Sequence, residues 1–590
     1  MAKMTNKLSF TALIILFLAG CAEAPSDDGT KTSDRADSGT TVAAAPMPAD
    51  KVVPELPAIT AEMLDSHMSV LASDEFGGRA PGTAGGRKTR DYLVNEMERI
   101  GLIPANGDSY EQPVGLVEQT VIPQQSSFSI TQAGQEAENL AYGQDIVFWS
   151  KQVATDISYT DSDLVFVGFG IVAPEYGWND YEGIDVTGKT VVMFVNDPGF
   201  YLENELFNGS AMTYYGRWTY KYEEAARQGA AGAVVIHETD PAAYGWGVVE
   251  GSWSGPQLDL ERPDGGASRV KMEAWMSEDA ATTLFSAAGL DMAAEKERAL
   301  SGDFTPAPME GFTASATLKN VINRNQSANV AGIVKGATAP DEFVLYMAHW
   351  DHLGRTFAPI GGGDGSGDLI NNGAVDNATG TGALLAIAES FANGTTPPDR
   401  SLIFVAVTAE ESGLLGSAYY AEDPLVPLAQ TIGGINMDGT LNSGPTKDIL
   451  VIGYGASELE DILLSVTDKR DMVIRPDQFP EKGYFYRSDH ISLAKKGVPM
   501  LWADAGTDLV AGGEEAGRAL ADEYTTNRYH KPADNYGSDF NLGALVQMSE
   551  IMRDTGAILA YSGLRPNWYE GNEFKAARDA QLSEYGIPNP

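Results

Sequence analysis

The chain of 590 residues contains one cysteine, six histidines and about half as many basic as acidic side chains, 40 Lys+Arg against 82 Asp+Glu, for a formal charge of −42. A single thiol excludes a disulfide scaffold and a thiolate zinc finger, so any metal site must be built from His, Asp and Glu. The shortage of Lys and Arg argues against binding a nucleic-acid backbone, which needs clustered cations to displace counterions. No internal repeat at solenoid periods is seen. The apolar run from Leu8 to Ala19 is too short to span a bilayer as a stable helix. What is present, 43% hydrophobic and 21% charged residues, suffices for a large core, and two or three domains are expected at roughly 100–200 residues each.

Lys3 and Lys7 precede that apolar run, which has the size of a secretory h-region. Leu18-Ala19-Gly20-Cys21 closes it and resembles the lipobox of bacterial lipoproteins, in which the cysteine is diacylated and becomes the first mature residue. An ordinary signal peptide with an incidental cysteine is the alternative; the position of the chain's only cysteine favours the lipoprotein. Ala22 in place of an aspartate implies, by the same resemblance, sorting to the outer membrane, on its periplasmic or surface side. Residues 1–20 thus read as a signal peptide and 21–57 as a lipid-anchored disordered tether of Ser, Thr, Asp, Ala and Pro, too poor in large apolar residues to fold.

Folded structure is expected from about Ile59. Thr60 can N-cap a helix carrying Met63, Leu64, Met68 and Leu71 on one face, and a second helix is predicted from Arg87 to Ile100 with Gly101 as its stop. A main domain is expected in two stretches, 58–135 and 311–565, separated by an inserted smaller β-rich domain over 136–310 and followed by a C-terminal tail over 566–590. In the insert, strands are predicted at Leu164–Phe169, Val191–Val195 and Ala233–Ile236, with a helix over Tyr220–Gln228. From about Asn329 strands and helices alternate: strands at Phe343–Ala348, Leu402–Val407, Ile449–Ile452 and Pro499–Trp502, and a helix at Gly382–Phe391. Such alternation predicts an α/β fold, a mainly parallel central sheet covered by helices, with ligands outside the carboxyl ends of its strands.

Chemistry-bearing residues gather at those ends. His349-Trp350-Asp351-His352 follows the strand ending at Ala348; Glu410-Glu411 follows Val407; Asp438 follows a strand over Ile432–Met437. Asp376 lies just before a helix, in Gly373-Ala374-Val375-Asp376-Asn377-Ala378-Thr379-Gly380, and Tyr529-His530 comes far downstream. Each has an ordinary reading: a strand-end histidine, a solvated glutamate pair, a helix cap, a turn. Jointly, two of six histidines bracket carboxylates at element ends, which is a ligand set for borderline divalent ions.

These segments, with Asn436-Met437-Asp438, Ala409 through Ser417 and Gly77-Gly78-Arg79-Ala80-Pro81-Gly82-Thr83, resemble the zinc-dependent exopeptidases of peptidase family M28. The insert, with Val167-Gly168-Phe169-Gly170 and Ala225–His237, resembles the protease-associated (PA) domain that interrupts many members. The resemblance implies two Zn²⁺ ions per chain bridged by Asp376, one completed by His349 and Asp438, the other by His530 and Glu411. It implies that water between them is the nucleophile, that Glu410 is the general base, that Asp351 hydrogen-bonds His349, and that Tyr529 stabilises the oxyanion. A cis peptide is implied at Asp376-Asn377. His352 is read as supporting or structural. Arg487, Tyr486 and His490, in or beside Arg487-Ser488-Asp489-His490, border a substrate cleft or form a packed loop; His67 and His237 read as structural.

The function expected is a metal-dependent exopeptidase, an aminopeptidase releasing N-terminal residues. Alternatives are a glutamate-carboxypeptidase-type or dipeptidase hydrolase, a non-catalytic binding protein on the same fold, and the one-zinc cyclase branch of the clan. Expected partners are peptide substrates and the membrane through Cys21, with no nucleic acid and no obligate protein partner.

Overall fold

The strand that ends at His349 is the axis of the sheet that carries the candidate site. In the computed structural model, which describes residues 52–202, 204, 206–355 and 368–589, Ala339–His349 pairs in parallel with Arg400–Val407 on one side and Thr431–Asn436 on the other. Met500–Ala505 extends this parallel centre, and antiparallel strands continue it at both sides, Asp448–Ile452 beyond Met500–Ala505 and Ala307–Val334 beyond Arg400–Val407. The fold is thus mixed α/β, parallel where the strands carry the site. Arg400–Val407 is buried along its whole length because helices cover both faces; a continuous apolar run is what such a strand requires. Each fully buried Leu, Ile, Val or Phe there contributes about 1.5–3 kcal/mol.

Helices Thr379–Ala392 and Gly543–Ser562 pack on one face together with Ala61–Leu71. The Thr60 side chain accepts from Met63 N at 3.3 Å and caps Ala61–Leu71, while Ala84–Ile100 ends on left-handed Gly101. A second hydrophobic core, running from Val121 to Leu318, surrounds another sheet in which Asp156–Phe166, Thr190–Phe194, Gly232–Ile236 and Met272–Met276 run parallel. The long strand Ala307–Val334 belongs to both sheets, pairing with Asp156–Phe166 in one and with Arg400–Val407 in the other, so the two cores are joined by continuous backbone.

Both ends of the described chain differ from expectation. Packing begins before Ile59: Leu56 is buried, and the Pro57 carbonyl accepts from Ser390 and Arg553, because an apolar side chain and a carbonyl with two donors hold these residues on the hydrophobic core. Residues 566–590, expected as a tail, carry the helix Lys575–Glu584 and bury Trp568, Phe574 and Leu582. The expected signal peptide, the expected anchor Cys21 and most of the expected tether lie outside the described residues. Among the described residues, no helix is long and apolar enough to cross a membrane.

Candidate metal centre and active site

The parallel strands deliver their last residues to one edge. His349 ends its strand, Glu410 and Glu411 follow Val407 through a left-handed Ala409, and Asp438 follows Asn436. Asp376 is brought over this edge by the loop ahead of helix Thr379–Ala392, where the Asp376-Asn377 peptide is cis. Gly373 starts that loop at φ +56°, and a Cβ there would lie 2.1 Å from the Asp376 carbonyl and 2.6 Å from the His352 ring, so only glycine fits.

Asp376 points one oxygen at each of two imidazoles. Its Oδ1 is 3.3 Å from His349 Nε2 and its Oδ2 is 3.2 Å from His530 Nε2. His349 Nε2 is also 3.2 Å from Asp438 Oδ1, and His530 Nε2 is 3.2 Å from Glu411 Oε2. Glu410 stands further off, its Oε2 4.0 Å from His349 Nε2. The residues predicted as ligands from the sequence therefore converge, divided into two sets that share Asp376. His352, assigned only a supporting place, is nearer than expected: its Nδ1 is 2.5 Å from Glu411 Oε1, and its buried Nε2 has no partner. It forms a metal-capable group with Asp376 and Glu411, as His349 does with Glu410 and Asp438.

The charges explain what such a cluster needs. Burial, the neighbouring glutamate and aspartates push Glu410 and Glu411 far above the usual carboxylate range. His349 is raised, because the carboxylates of Glu410, Asp438 and Asp376 outweigh the effect of its burial. No Lys or Arg forms an ion pair with these carboxylates among the described residues, and the buried Arg79 guanidinium instead donates to the carbonyls of Leu71, Trp350, Asn372 and Gly373. Bare side chains relieve this crowding only by taking up protons; divalent cations at the same place relieve it without them. The donor set, imidazole nitrogens and carboxylate oxygens with an orphaned His352 Nε2, fits two such ions.

The supporting contacts correct the expected role of Asp351. Its carboxylate is 3.9 Å from His349 Nδ1 and makes no hydrogen bond to it; the Asp351 backbone carbonyl faces Nδ1, at 3.2 Å. The carboxylate accepts instead from the Glu410 backbone N–H at 3.1 Å, since the chain turns after His349 and leaves the main chain, not the side chain, beside the ring. His490 is also corrected. It is fully buried between Phe485 and Trp502, at 4.5 and 5.3 Å, with both ring nitrogens unpartnered, and burial pushes it down to about 3; packing removes it from any cleft. Tyr486 donates its hydroxyl to Glu573 at 2.6 Å, and Arg487 donates to the Lys482 carbonyl at 2.8 Å. Tyr529 is 46% exposed and stacks on His530 with centroids 3.9 Å apart. His67 pairs with the Tyr92 hydroxyl and His237 with the Tyr244 carbonyl, away from the cluster.

Sequence reasoning passed over Ser488, Asp534 and Arg79. Ser488 accepts from Asn436 and donates to Asp438 Oδ2 at 2.5 Å. Asp534 accepts the N–H groups of Val375 and Asp376, tying the His530 loop to the Asp376 loop. All three fall inside or next to the quoted motifs, yet their partners are distant in sequence, so adjacency to a motif was the only signal.

An α/β sheet whose carboxyl edge gathers two histidine and carboxylate sets around one shared aspartate is a place where metal ions could be held. Residues 329–556 match the model of Peptidase family M28. Similar proteins include the aminopeptidase NAALADL1 of Mus musculus, 31% identical over 165 residues, which are 27% of this chain and 19% of that protein. Aminopeptidase YwaD of Bacillus subtilis (strain 168) is 35% identical over 109 residues, 18% of this chain and 20% of that protein. The chain spans about a fifth of the length of the curated relatives NAALADL1 that it matches. Among solved structures, an aminopeptidase from Aneurinibacillus sp. strain AM-1 aligns with a TM-score of 0.44 at 19% identity, over 85% of this chain and 94% of that one.

Proposed function

We propose that the protein is a two-zinc exopeptidase, an aminopeptidase. The observation that carries this reading is the division of the Asp376 carboxylate between His349 and His530, at 3.3 and 3.2 Å, with Glu410 held apart from both sets. One ion would be held by His349, Asp376 and Asp438, the other by His530, Asp376 and Glu411. Two divalent ions in such a place supply polarisation of the scissile carbonyl and a water acidic enough to lose its proton near neutral pH.

Glu410 accepts that proton and returns it to the leaving amine nitrogen. Ser488 and the Asp351 carbonyl fix Asp438 and His349, so the ligands lose little freedom on engaging an ion. Tyr529, stacked on His530 at the open side, offers a hydroxyl to the developing oxyanion. That similar proteins are named aminopeptidases supports release of N-terminal residues. The insert is read as a PA-like module, and Cys21 as a lipid anchor that would hold an exported enzyme on the outer membrane.

The test is metal analysis with hydrolysis of amino-acid arylamides and N-blocked dipeptides by the wild type and Glu410→Gln. Two zinc per chain, turnover of arylamides, and a kcat lowered by about 10²–10⁴ in the variant with KM retained are expected. Turnover of blocked dipeptides alone would make the protein a carboxypeptidase, and a variant as active as wild type would remove the proposed mechanism.

A further inference from the structure

The segment 480–495 carries Ser488, whose hydroxyl donates to Asp438 Oδ2 at 2.5 Å and leaves Asp438 Oδ1 facing His349 Nε2 at 3.2 Å. Ahead of Ser488 the backbone forms two single 3₁₀ turns, Pro480–Lys482 and Tyr484–Tyr486, joined at Gly483 with φ +62°. Their hydrogen bonds close within the loop: Gly483 N–H on Pro480, Tyr486 N–H on Gly483 and Arg487 N–H on Tyr484. Turns this short do not fix where the loop sits. Among the described residues, the one side-chain hydrogen bond from 480–487 that leaves the loop runs from the Tyr486 hydroxyl to Glu573 Oε1, at 2.6 Å.

Two distant parts of the chain grip this segment. The insert holds its front: Met212 N–H donates to the Pro480 carbonyl at 3.1 Å, and the Tyr214 and Tyr486 rings are 6.1 Å apart. The insert also holds its back, where Lys495 pairs with Glu223 at 3.1 Å and lies 4.4 Å from the Tyr214 ring, whose hydroxyl donates to Glu223 at 2.6 Å. The C-terminal segment lines the other side: the Phe574 and Phe485 rings stack 6.3 Å apart, and Trp568 Nε1–H donates to the Gly497 carbonyl at 2.9 Å. Glu573 stands where these grips meet, because its Oε2 accepts the Tyr214 N–H at 3.3 Å while its Oε1 takes Tyr486. Both donors are uncharged, so a buried carboxyl here is a costly way to fill space. What it supplies is reach, one oxygen for the insert and one for the loop. Glu573 lies beyond residues 329–556, which match the family model.

We infer that Glu573 is a positioning residue for the metal centre: by joining the insert to the 480–487 loop it keeps Ser488 on Asp438, which couples docking of the insert to ion binding. The inference rests on the exopeptidase reading and deepens it, giving the insert and the C-terminal segment a place in the control of that site. The path is short: Glu573 Oε1 to the Tyr486 hydroxyl, two peptide units to Ser488, and one hydrogen bond to Asp438 Oδ2. When the loop withdraws, Asp438 loses that donor, and its carboxylate must then be ordered at the moment an ion binds. Ordering a free side chain costs rotamer entropy, so the ion is held more weakly. Release of the insert at Lys495 acts in the same direction, because Ser488 lies between the front and back grips.

Glu573→Ala, Glu573→Gln and Lys495→Met would be compared with the wild type by hydrogen exchange of the metal-free protein, by zinc titration, and by hydrolysis of amino-acid arylamides and N-blocked dipeptides. Expected in Glu573→Ala is amide exchange about tenfold faster in 212–217 and 480–495, with the strands Ala339–His349 and Arg400–Val407 unchanged. Zinc should be held about 10- to 100-fold more weakly at one of two sites. Activity should fall at limiting zinc and return as zinc is raised, a rescue that a general loss of structure would not give. Glu573→Gln, which keeps an acceptor for Tyr486, should recover most of both losses, and Lys495→Met should reproduce them in part from the side of the insert. Where Glu573→Ala does not fold, Tyr486→Phe removes the same bond with one hydroxyl and carries the same expectations. Wild-type exchange in Glu573→Ala would overturn the clamp, and faster exchange with unchanged zinc affinity would overturn its coupling to the metal centre; both results leave the exopeptidase intact. Hydrolysis of no substrate by the zinc-loaded wild type would overturn the exopeptidase reading, with exchange and zinc titration still deciding the clamp. A wild type that binds no zinc would overturn both.

Discussion

The backbone N–H of Glu410 donates to the Asp351 carboxylate at 3.1 Å. Since Asp351 also turns its carbonyl to His349 Nδ1, one residue fixes both the proposed base and a proposed ligand. Asp351→Ala is expected to lower kcat about 10- to 100-fold and to weaken zinc binding by a similar factor. Asp351→Asn, which keeps an acceptor for the Glu410 N–H, should recover most of the loss. Steady-state kinetics with zinc titration check both; equal losses in the two variants would mean that charge, not the hydrogen bond, matters.

Arg79 joins three pieces of the site through four carbonyls, at 2.5–2.9 Å. Arg79→Met leaves those carbonyls unpaired in the interior and is expected to cost about 3–5 kcal/mol of stability. Urea unfolding of the metal-free protein measures it, and a change below about 1 kcal/mol would show that water replaces the guanidinium.

His530 and His352 approach opposite oxygens of Glu411, and metal stoichiometry separates their roles. His530→Ala is expected to bind one zinc in place of two. His352→Gln should keep both, with the weaker site loosened about 10- to 100-fold. Zinc content after dialysis, read by mass spectrometry, decides; loss of one ion in His352→Gln with two retained in His530→Ala would exchange their assignments.

Glu573, which accepts from the Tyr214 N–H and the Tyr486 hydroxyl, supplies a pH dependence of stability. Burial raises its carboxyl from 4.5 to about 7, against the hydrogen bonds from Tyr486 and the Tyr214 N–H. A raised acid holds its proton in the folded state while the unfolded chain has already released it, so its contribution to stability is full below pH 4.5 and is lost as pH rises through about 7. Wild-type stability is therefore expected to lose about 3 kcal/mol from this group as pH rises from below 4.5 to above 7. Glu573→Gln, which cannot ionise, should flatten that part of the curve. Denaturant melts across the range test this, and an unchanged slope in the variant would show that Glu573 is already ionised in the folded protein.

Much of the fold is legible in the sequence because buried parallel strands require continuous apolar runs. The runs Phe343–Ala348 and Leu402–Val407 lie within a few residues of the bounds of the strands Ala339–His349 and Arg400–Val407. The ends are not legible. Whether Leu56 or Trp568 packs depends on the surface that happens to face it, and a short segment rich in polar residues carries no periodicity to reveal that. The candidate ligands stand out since His, Asp and Glu at strand ends are few and ordered. The side-chain directions do not: Asp351 and His490 sit in the expected segments, but one uses its carbonyl where a carboxylate was expected and the other is enclosed by Phe485 and Trp502.

The sequence by itself determined the class of chemistry, because one cysteine and few histidines leave only imidazole and carboxylate donors, and the strand pattern sends them to a single edge. Only the tertiary structure decided how those donors divide about Asp376. Distances between side chains depend on how separate elements pack, and no local pattern along the chain encodes them.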